Sequence, residues 1–233
     1  MGVTIFRPGQ RLVIPGVQVM QTKAAASSWW LSGGIGAANC IAAYAPKGAA
    51  DLASSYINLA NPGTYNAAPG VAPTFNTADG WTFNGTTQYL TCGIVPALTW
   101  SMIIRLSAGQ GTATGKTTAG VYHSTTQSFL IQPHGDFAGE YEFWNGNTLR
   151  LTGGQKNSGV FCVAGKGAYY DGANVGTITA GGTNPTNAIY IGALNFGGTA
   201  INLFGHKIQA FAIYNTTLTA GQVSDLTTAI NLI

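Results

Sequence analysis

The sequence predicts an all-β protein of the sandwich or barrel class that ends in one short helix. Short apolar segments recur along the 233 residues, with turn signals about every 8–12 residues, as in sandwiches and barrels. Charged residues make up only 7% of the chain, against about 25% in an average domain. Because exposed helical faces usually carry many Glu and Lys residues, this deficit disfavours a helical protein. The length fits a single domain.

Residues 1–38 differ from the rest of the chain and predict an extended N-terminal arm. The segments VTIF and RLVIPGVQVM are short and extended, and prolines and glycines interrupt them. We expect this arm to pair with a sheet edge or to reach a neighbouring subunit, and a flexible leader is the alternative. The candidate assembly residues are Phe6, Arg7, Arg11, Val13 and Ile14.

The same N-terminus lacks the features of a signal peptide. Arg7, Pro8 and Arg11 interrupt what would have to be a continuous apolar segment. No stretch reaches the 18 or so apolar residues of a membrane span. We therefore expect synthesis in the cytoplasm and no membrane-spanning segment.

Residues 39–233 predict the β domain itself. The segments CIAAY, TWSMIIRLSA and VFCVA are apolar enough to be buried strands. In GWTFNGTTQYLTC, the Asn84-Gly85 pair between two alternating segments predicts a β-hairpin with a two-residue turn. Asn145-Gly146 is a second turn signal of the same kind.

The last thirty residues predict a strand and then a helix. HKIQAFAIYN alternates as a strand, with Ile208 and Tyr214 on one side and Phe211 on the other. Thr219 and Gln222 have the spacing of a capping box. Val223, Leu226 and Ile230 follow at helical spacing. A short helix with one apolar stripe must dock onto the sandwich.

Several motifs occur in the order found in one fold family. The C-terminal strand and helix carry Phe204, Gly205, Ile208, Phe211, Ile213, Tyr214, Leu218, Thr219, Gln222, Val223 and Leu226. Earlier motifs are Phe83-Asn84-Gly85 with Tyr89, Tyr170-Asp171-Gly172, and IYIGALN. This set resembles the concanavalin A-like and laminin-G-like lectin domains over residues 39–230. The resemblance implies a two-sheet antiparallel jelly roll.

The resemblance leaves several functions open, because this fold carries lectins, adhesion modules, glycosidases and virion proteins. The Ala-, Gly- and Asn-rich texture is similar to proteins of tailed bacteriophages and prophages. The leading hypothesis is a structural virion protein, located in the virion and assembled in the host cytoplasm with other virion proteins or copies of itself. The alternative is a lectin or adhesin that contacts cell-surface glycans, and the third is a glycoside hydrolase.

Sugar binding usually uses exposed aromatic rings together with side-chain amides. EFWNGNT offers Trp144, Asn145 and Asn147, and ALNFGG offers Asn195 and Phe196. These five residues are the candidate carbohydrate ligands. Trp144 can instead be a core residue, because tryptophan is usually well buried.

The acidic residues give little support for catalysis. Glycosidases of the fold that this chain resembles use paired carboxylates on one strand, with a third acid nearby. Here Glu140 and Glu142 form the only close pair among seven acidic residues. Residues two apart face the same side of a strand, so the pair could act together, but a third acid is missing. The sequence therefore predicts that the protein is not an enzyme.

No cofactor is expected, although calcium is an option in laminin-G-like domains. Asp136 and Asp171 are the candidate calcium ligands, and Asp171 is alternatively a turn residue before Gly172. The three cysteines lack the spacing of a disulfide framework and are expected to be buried thiols. The net charge of +3 is spread thinly, which disfavours nucleic-acid binding.

Overall fold

The structure is a computed structural model that describes residues 28–108, 111, 113–179 and 181–233. It consists of two β-sheets packed face to face, with short helices outside them. This confirms the predicted all-β sandwich with a C-terminal helix. The predicted assembly residues Phe6, Arg7, Arg11, Val13 and Ile14 lie outside the described residues.

The first sheet is antiparallel. It comprises β1 (Cys40–Tyr44), β3 (Thr74–Asn76), β4 (Gly80–Thr82), β6 (Ser101–Ser107), β11 (Gly159–Ala164), β12 (Gly167–Tyr170), β13 (Ala173–Thr177) and β17 (Lys207–Tyr214). Their spatial order is β13-β12-β11-β6-β17-β4-β3, and β1 also pairs with β17. The apolar strands β6, β11 and β17 thus occupy its centre.

The second sheet carries the site described below. It comprises β2 (Ala68–Val71), β5 (Tyr89–Thr91), β7 (Ala119–Ser124), β8 (Gln127–Gln132), β9 (Glu140–Asn145), β10 (Thr148–Thr152), β14 (Tyr190–Ile191), β15 (Leu194–Phe196) and β16 (Thr199–Ile201). Their order is β10-β9-β8-β7-β14-β5-β2. The short strand β15 pairs in parallel with β7 and antiparallel with β16. A small β-ribbon is thereby placed beside β7.

The hairpin predicted at Asn84-Gly85 is wrong. The strands on either side of it belong to different sheets, because β4 pairs with β3 and β17 whereas β5 pairs with β2 and β14. The Asn84 side-chain oxygen accepts hydrogen bonds from the backbone amides of Thr86, Thr87 and Gln88 at 3.0–3.2 Å. These bonds satisfy the amides of a loop that crosses between the sheets, in place of a strand ladder.

The main core fills the space between the sheets. Alternate residues of facing strands point into it, among them the fully buried Ile104, Phe129, Phe143, Phe161 and Phe211. Burying a side chain of this size stabilises the fold by about 1.5–3 kcal/mol. The three free cysteines are buried as predicted.

A second apolar layer covers the outer face of the first sheet. Helix α2 (Ala220–Ile230) begins with the predicted capping box at Thr219 and buries Val223, Leu226 and Ile230. A 3-10 turn at Trp29–Leu31 packs beside it. A second short 3-10 turn at Ala37–Asn39 and the one-turn helix α1 (Leu52–Ser55) complete the helices of the described residues. None of the helices in the part of the chain described here could span a membrane.

The boundary predicted at residue 38 stays a prediction, but three residues before it, Trp29, Trp30 and Ile35, are buried in the domain. Trp29 and Trp30 are buried against the outer face of the first sheet. The Tyr214 hydroxyl donates a hydrogen bond of 2.9 Å to the Trp30 carbonyl oxygen. Trp29, Trp30 and Ile35 therefore contribute to the packing of the domain.

Candidate functional site

The register of the second sheet places polar and apolar side chains in two adjacent rows on its outer face. In β9, Tyr141 and Phe143 point into the core, so Glu142 and Trp144 point outward. Glu142 lies opposite Arg150 of β10 and Gln132 of β8, which forms a polar row across three strands.

The second row lies one pleat further along the same strands. Trp144 is opposite Leu130 of β8, Leu130 is opposite Gly120 of β7, and Gly120 is opposite Leu194 of β15. Leu130, Trp144 and Leu194 form a small apolar cluster separate from the main core. An apolar floor is therefore built on the solvent side of the sheet.

A cavity of about 170 Å³ lies over the junction of these rows. We call it the aromatic cleft. Its lining residues are Tyr122, Leu130, Gln132, Asp136, Trp144, Leu194, Phe196, Ile201 and Asn202. Apolar walls with a few convergent polar groups are typical of small-molecule binding sites.

Three aromatic rings shape the cleft. The ring of Tyr122 lies edge-on to Trp144, with a centroid distance of 5.7 Å and an interplanar angle of 84°. It also stacks on Phe196 at 6.0 Å and 27°. Trp144 is buried, whereas Phe196 is 46% exposed. The rings therefore present both a fixed wall and an accessible face.

A hydrogen-bond network around Glu142 orients this wall. The fully buried Glu142 carboxylate accepts bonds from the Trp144 indole N–H and the Asp136 backbone N–H, each at 2.9 Å. Arg150 Nε lies 3.2 Å from the same carboxylate. Asp136 in turn accepts from Gln132 Nε2 at 2.9 Å and from Arg150 Nη2 at 3.3 Å. The ring of Trp144 and the loop carrying Asp136 are thus held by one carboxylate.

Burial raises the pKa of the Glu142 carboxyl above its ordinary value, and the negative charge of Asp136 adds to this rise. The Asp136 N–H, Arg150 and the Trp144 indole act in the opposite direction by stabilising the ionised form. Desolvation has the largest effect, so the net shift is upward. With all its oxygen partners inside the protein, Glu142 positions Trp144 and does not itself face the cavity.

Three of the sequence-predicted residues meet in the cleft. Trp144 and Phe196, predicted as sugar ligands, and Asp136, predicted as a calcium ligand, all line it. The two interpretations left open for Trp144 turn out to be compatible, because the residue is buried and also forms a wall. The structure thereby joins candidates that lie far apart along the chain.

The three predicted asparagines are not brought into the cleft. Asn145 is fully buried and donates to the backbone oxygens of Leu98 and Gly165. Asn147 bonds the Thr179 hydroxyl and the Thr148 amide. Asn195 donates to the carbonyl oxygen of Ala188 and accepts from the Gly198 amide. Asn147 and Asn195 each accept from a backbone amide close in sequence, which is the common role of asparagine in turns, whereas Asn145 ties its turn to distant backbone.

The two predicted calcium ligands lie in separate loops, one joining strands of the second sheet and the other joining strands of the first. Asp171 occupies the turn between β12 and β13 with a left-handed φ of 47°, and its carboxylate accepts from the Val160 amide at 2.8 Å. Asp136 is bonded to Gln132 and Arg150. Among the residues described, no group of three or more His, Cys, Asp or Glu side chains could hold a metal ion. Asp171 thus has the turn role that was the alternative.

Sequence reasoning missed the apolar lining residues Leu130, Leu194 and Ile201, and also Tyr122, Gln132, Arg150 and Asn202. The available signal was the outward side of the alternation in YHST and FLIQ, which carries Tyr122 and Gln132. The pairing of Arg150 with Glu142 belongs to the hairpin β9–β10, whose turn contains the predicted Asn145-Gly146 signal. The parallel docking of β15 on β7 joins residues far apart in the chain, and nothing local in the sequence specifies it.

Comparisons with known proteins give the fold. No protein-family model and no curated protein sequence matches the chain. Among solved structures, domain 4 of AbnA, a GH43 extracellular arabinanase from Geobacillus stearothermophilus, in complex with arabinotriose, is similar at 16% identity with a TM-score of 0.56. That match covers 81% of this chain and 98% of the domain.

Two further similar structures are parts of larger chains. A Trypanosoma rangeli sialidase in complex with a difluorinated keto-deoxy-nononic acid matches at 12% identity and a TM-score of 0.57, over 84% of this chain and 33% of the sialidase. A receptor binding domain matches at 13% identity and a TM-score of 0.53, over 83% of this chain and 51% of that one. The chain thus spans about a third and about half of their lengths.

These structures correct one prediction. The absence of a third carboxylate led to the expectation that the protein is not an enzyme. The similar structures include a domain of an arabinanase and part of a sialidase. The missing third carboxylate therefore does not distinguish a chain of this fold from an enzyme. The prediction was wrong because it compared the chain with a single carboxylate pattern, whereas the fold occurs in glycosidases of more than one kind.

Proposed function

We propose that this protein binds carbohydrate in the aromatic cleft. The observation that carries the proposal is the meeting of three aromatic rings, two amides and one carboxylate in a single cavity on the outer face of the second sheet. A sugar ring has an apolar C–H face and a rim of hydroxyl groups. Aromatic rings suit the face, and amide and carboxylate groups suit the hydroxyls.

The polar groups of the cleft are held in fixed positions. Asp136 is restrained by Gln132 and Arg150, and Gln132 lies in a paired strand. Asn202 has a left-handed φ of 52°, a conformation that asparagine tolerates, and its carbonyl oxygen accepts from the Thr117 amide at 2.8 Å. A preorganised site loses less entropy when it binds a ligand.

The similar structures support this ligand class without identifying a ligand. The arabinanase domain was solved with arabinotriose and the sialidase with a sugar analogue. The identities of 12–16% relate the folds alone. The proposal therefore rests on the cleft of this chain, and arabinotriose serves as the first ligand to test.

The test compares two substitutions that remove similarly exposed aromatic rings. Phe196 in the cleft is 46% exposed, and Tyr65, which does not line the cleft, is 45% exposed. Binding of arabinotriose and of a glycan panel is measured for the parent protein, Phe196→Ala and Tyr65→Ala. We expect Phe196→Ala to weaken binding roughly tenfold and Tyr65→Ala to leave it unchanged.

Two outcomes would contradict the proposal. In the first, no glycan binds the parent protein. In the second, Phe196→Ala and Tyr65→Ala weaken binding equally. Chromatography of arabinotriose after incubation with the protein separates binding from turnover. Intact sugar indicates a binding site, and shorter products indicate hydrolysis at or near the cleft.

A role in a phage virion is the second candidate, supported by sequence features alone. Only 7% of the residues are charged, which suits close contact between subunits. The segment proposed to make such contacts lies within residues 1–27. Because Trp29 and Trp30 belong to the packed domain, a clean test deletes residues 1–27 only. Unchanged incorporation of the truncated protein into particles would show that the proposed arm is not needed for assembly.

A further inference from the structure

The charges around the aromatic cleft are unbalanced. Asp136 and Glu142 share one cation, Arg150, which lies 3.3 Å from the first carboxylate and 3.2 Å from the second. Glu140 is two residues from Glu142 in β9 and so faces the same side of the sheet. Of these four side chains, three are carboxylates and one is a guanidinium, so the group as a whole is negative.

Arg150 is poorly placed to receive an anionic ligand. Its Nε and Nη2 atoms form the fork that recognises carboxylates, and Glu142 and Asp136 already occupy it. The guanidinium carbon lies 4.7 Å above the ring centre of Phe137. Arg150 is also not among the residues that line the cavity, whereas Asp136 is the one charged residue of that lining.

Asp136 is the charge that a ligand in the cleft would meet. Its side chain is 41% exposed, whereas that of Glu142 is fully buried. The neighbouring Gln132 directs its amide N–H to Asp136 and so stabilises the carboxylate. A carboxylate ligand would enter beside a fixed negative charge whose cation, Arg150, pairs with it at 3.3 Å but does not line the cavity.

The size of the cleft limits what enters. An apolar cavity of about 150 Å³ in another protein holds one benzene molecule. The 170 Å³ of the aromatic cleft therefore fits one sugar ring, with the rest of a longer glycan outside.

We infer that the aromatic cleft takes a single uncharged sugar ring and that Asp136 is a specificity-determining residue that disfavours sugar acids. This inference rests on the function proposed above. Beyond carbohydrate binding, the ligand is specified here by its charge and by the number of rings that the cleft holds. A neutral ring can donate hydroxyl hydrogen bonds to Asp136, whereas a sugar carboxylate meets a like charge at short range.

Matched sugars test the charge. NMR titrations compare galactose with galacturonate and glucose with glucuronate, pairs that differ only at the sixth carbon, at neutral pH. We expect the neutral member to bind about three- to tenfold more tightly, with a smaller ratio at high salt. Asp136→Asn should reduce the ratio towards one. Asp225→Asn, on the exposed side of α2, is the control and should leave it unchanged.

Arabinotriose tests the number of rings. If one ring is held, arabinotriose and arabinose should bind with affinities within about fivefold of each other, since added rings remain in solvent. A much larger gain from the two added rings would overturn this part of the inference.

The outcomes separate the inference from the function on which it rests. Equal or tighter binding of the sugar acids, or a ratio that Asp136→Asn leaves unchanged, overturns the inference while carbohydrate binding stands. Failure of every sugar to bind overturns both. Circular dichroism of each variant checks that the substitution leaves the fold intact.

Discussion

The outer face of the first sheet is apolar and buried beneath α2, whereas the outer face of the second sheet carries the aromatic cleft. On the first, Ile103, Val160 and Cys162 are apolar and fully covered. On the second, apolar Leu130 and Trp144 stand beside polar Gln132 and Glu142. A uniformly apolar outer face requires a further layer, and a mixed face with accessible aromatics suits a ligand.

The largest expected effect on stability is on the covered face. Leu226→Ala removes a fully buried side chain from the layer between α2 and the first sheet, and we expect the free energy of unfolding to fall by about 3 kcal/mol. Urea denaturation measures the change. Leu232→Ala, at a position 86% exposed, should change it by less than about 0.5 kcal/mol. Equal effects of the two substitutions would contradict the buried layer.

A smaller loss is expected at the cleft when Glu142 is removed. Glu142→Ala takes the acceptor away from the Trp144 indole and from the Asp136 amide, at a cost of about 2 kcal/mol in unfolding free energy. It should also loosen Trp144, so near-ultraviolet circular dichroism should lose intensity along with sugar affinity. An unchanged near-ultraviolet spectrum would show that Glu142 does not orient the ring.

The raised pKa of Glu142 also predicts how the stability of the protein depends on pH. Its folded-state pKa lies above the ordinary value of 4.5, so the folded chain binds this proton more tightly than the unfolded chain does. The stabilising contribution is complete below the unfolded pKa and is lost as pH rises through the folded pKa. Compared with the neutral variant Glu142→Gln, the parent protein should lose stability as pH rises above 4.5. Parallel pH profiles would contradict this shift.

The smallest expected change in stability is at the accessible ring. Phe196 is nearly half exposed, so Phe196→Ala should change the unfolding free energy by less than about 0.5 kcal/mol while it weakens sugar binding. Thermal denaturation and titration on the same sample check both. A large loss of stability would mean that Phe196 supports the β15–β16 ribbon more than it serves the cleft.

The covered face could be read from the sequence in large part. The capping box and the spacing of Val223, Leu226 and Ile230 predict α2 and its buried side. One part of this prediction was wrong. Ile208 and Phe211 were expected on opposite sides of β17, but a bulge between Ile208 and Ala210 places both in the main core. A single inserted residue reverses the sides of a strand, and local alternation does not reveal it.

The cleft could be predicted only in fragments. Trp144 and Phe196 stood out as aromatic residues near turns, and Asp136 as a loop carboxylate. Their meeting requires β9, β8 and β7 in register and β15 in parallel beside β7. The strands β7, β8 and β9 follow one another along the chain, but the docking of β15 on β7 joins residues far apart, so no local pattern specifies it. The three predicted asparagines lie outside the cleft, and their amides bond groups of the protein itself. An asparagine used in this way looks the same in sequence as a ligand-binding one.

Chemical-shift mapping with arabinotriose tests the central claim most directly, that the two outer faces differ in function. In the isotope-labelled protein, the account predicts shifts of the Trp144 indole N–H and of the Tyr122, Leu130 and Phe196 amides. The amides of Ile103 and Leu226, on the covered face, should stay in place. Shifts confined to the covered face, or saturating sugar with no change at Trp144, would contradict it.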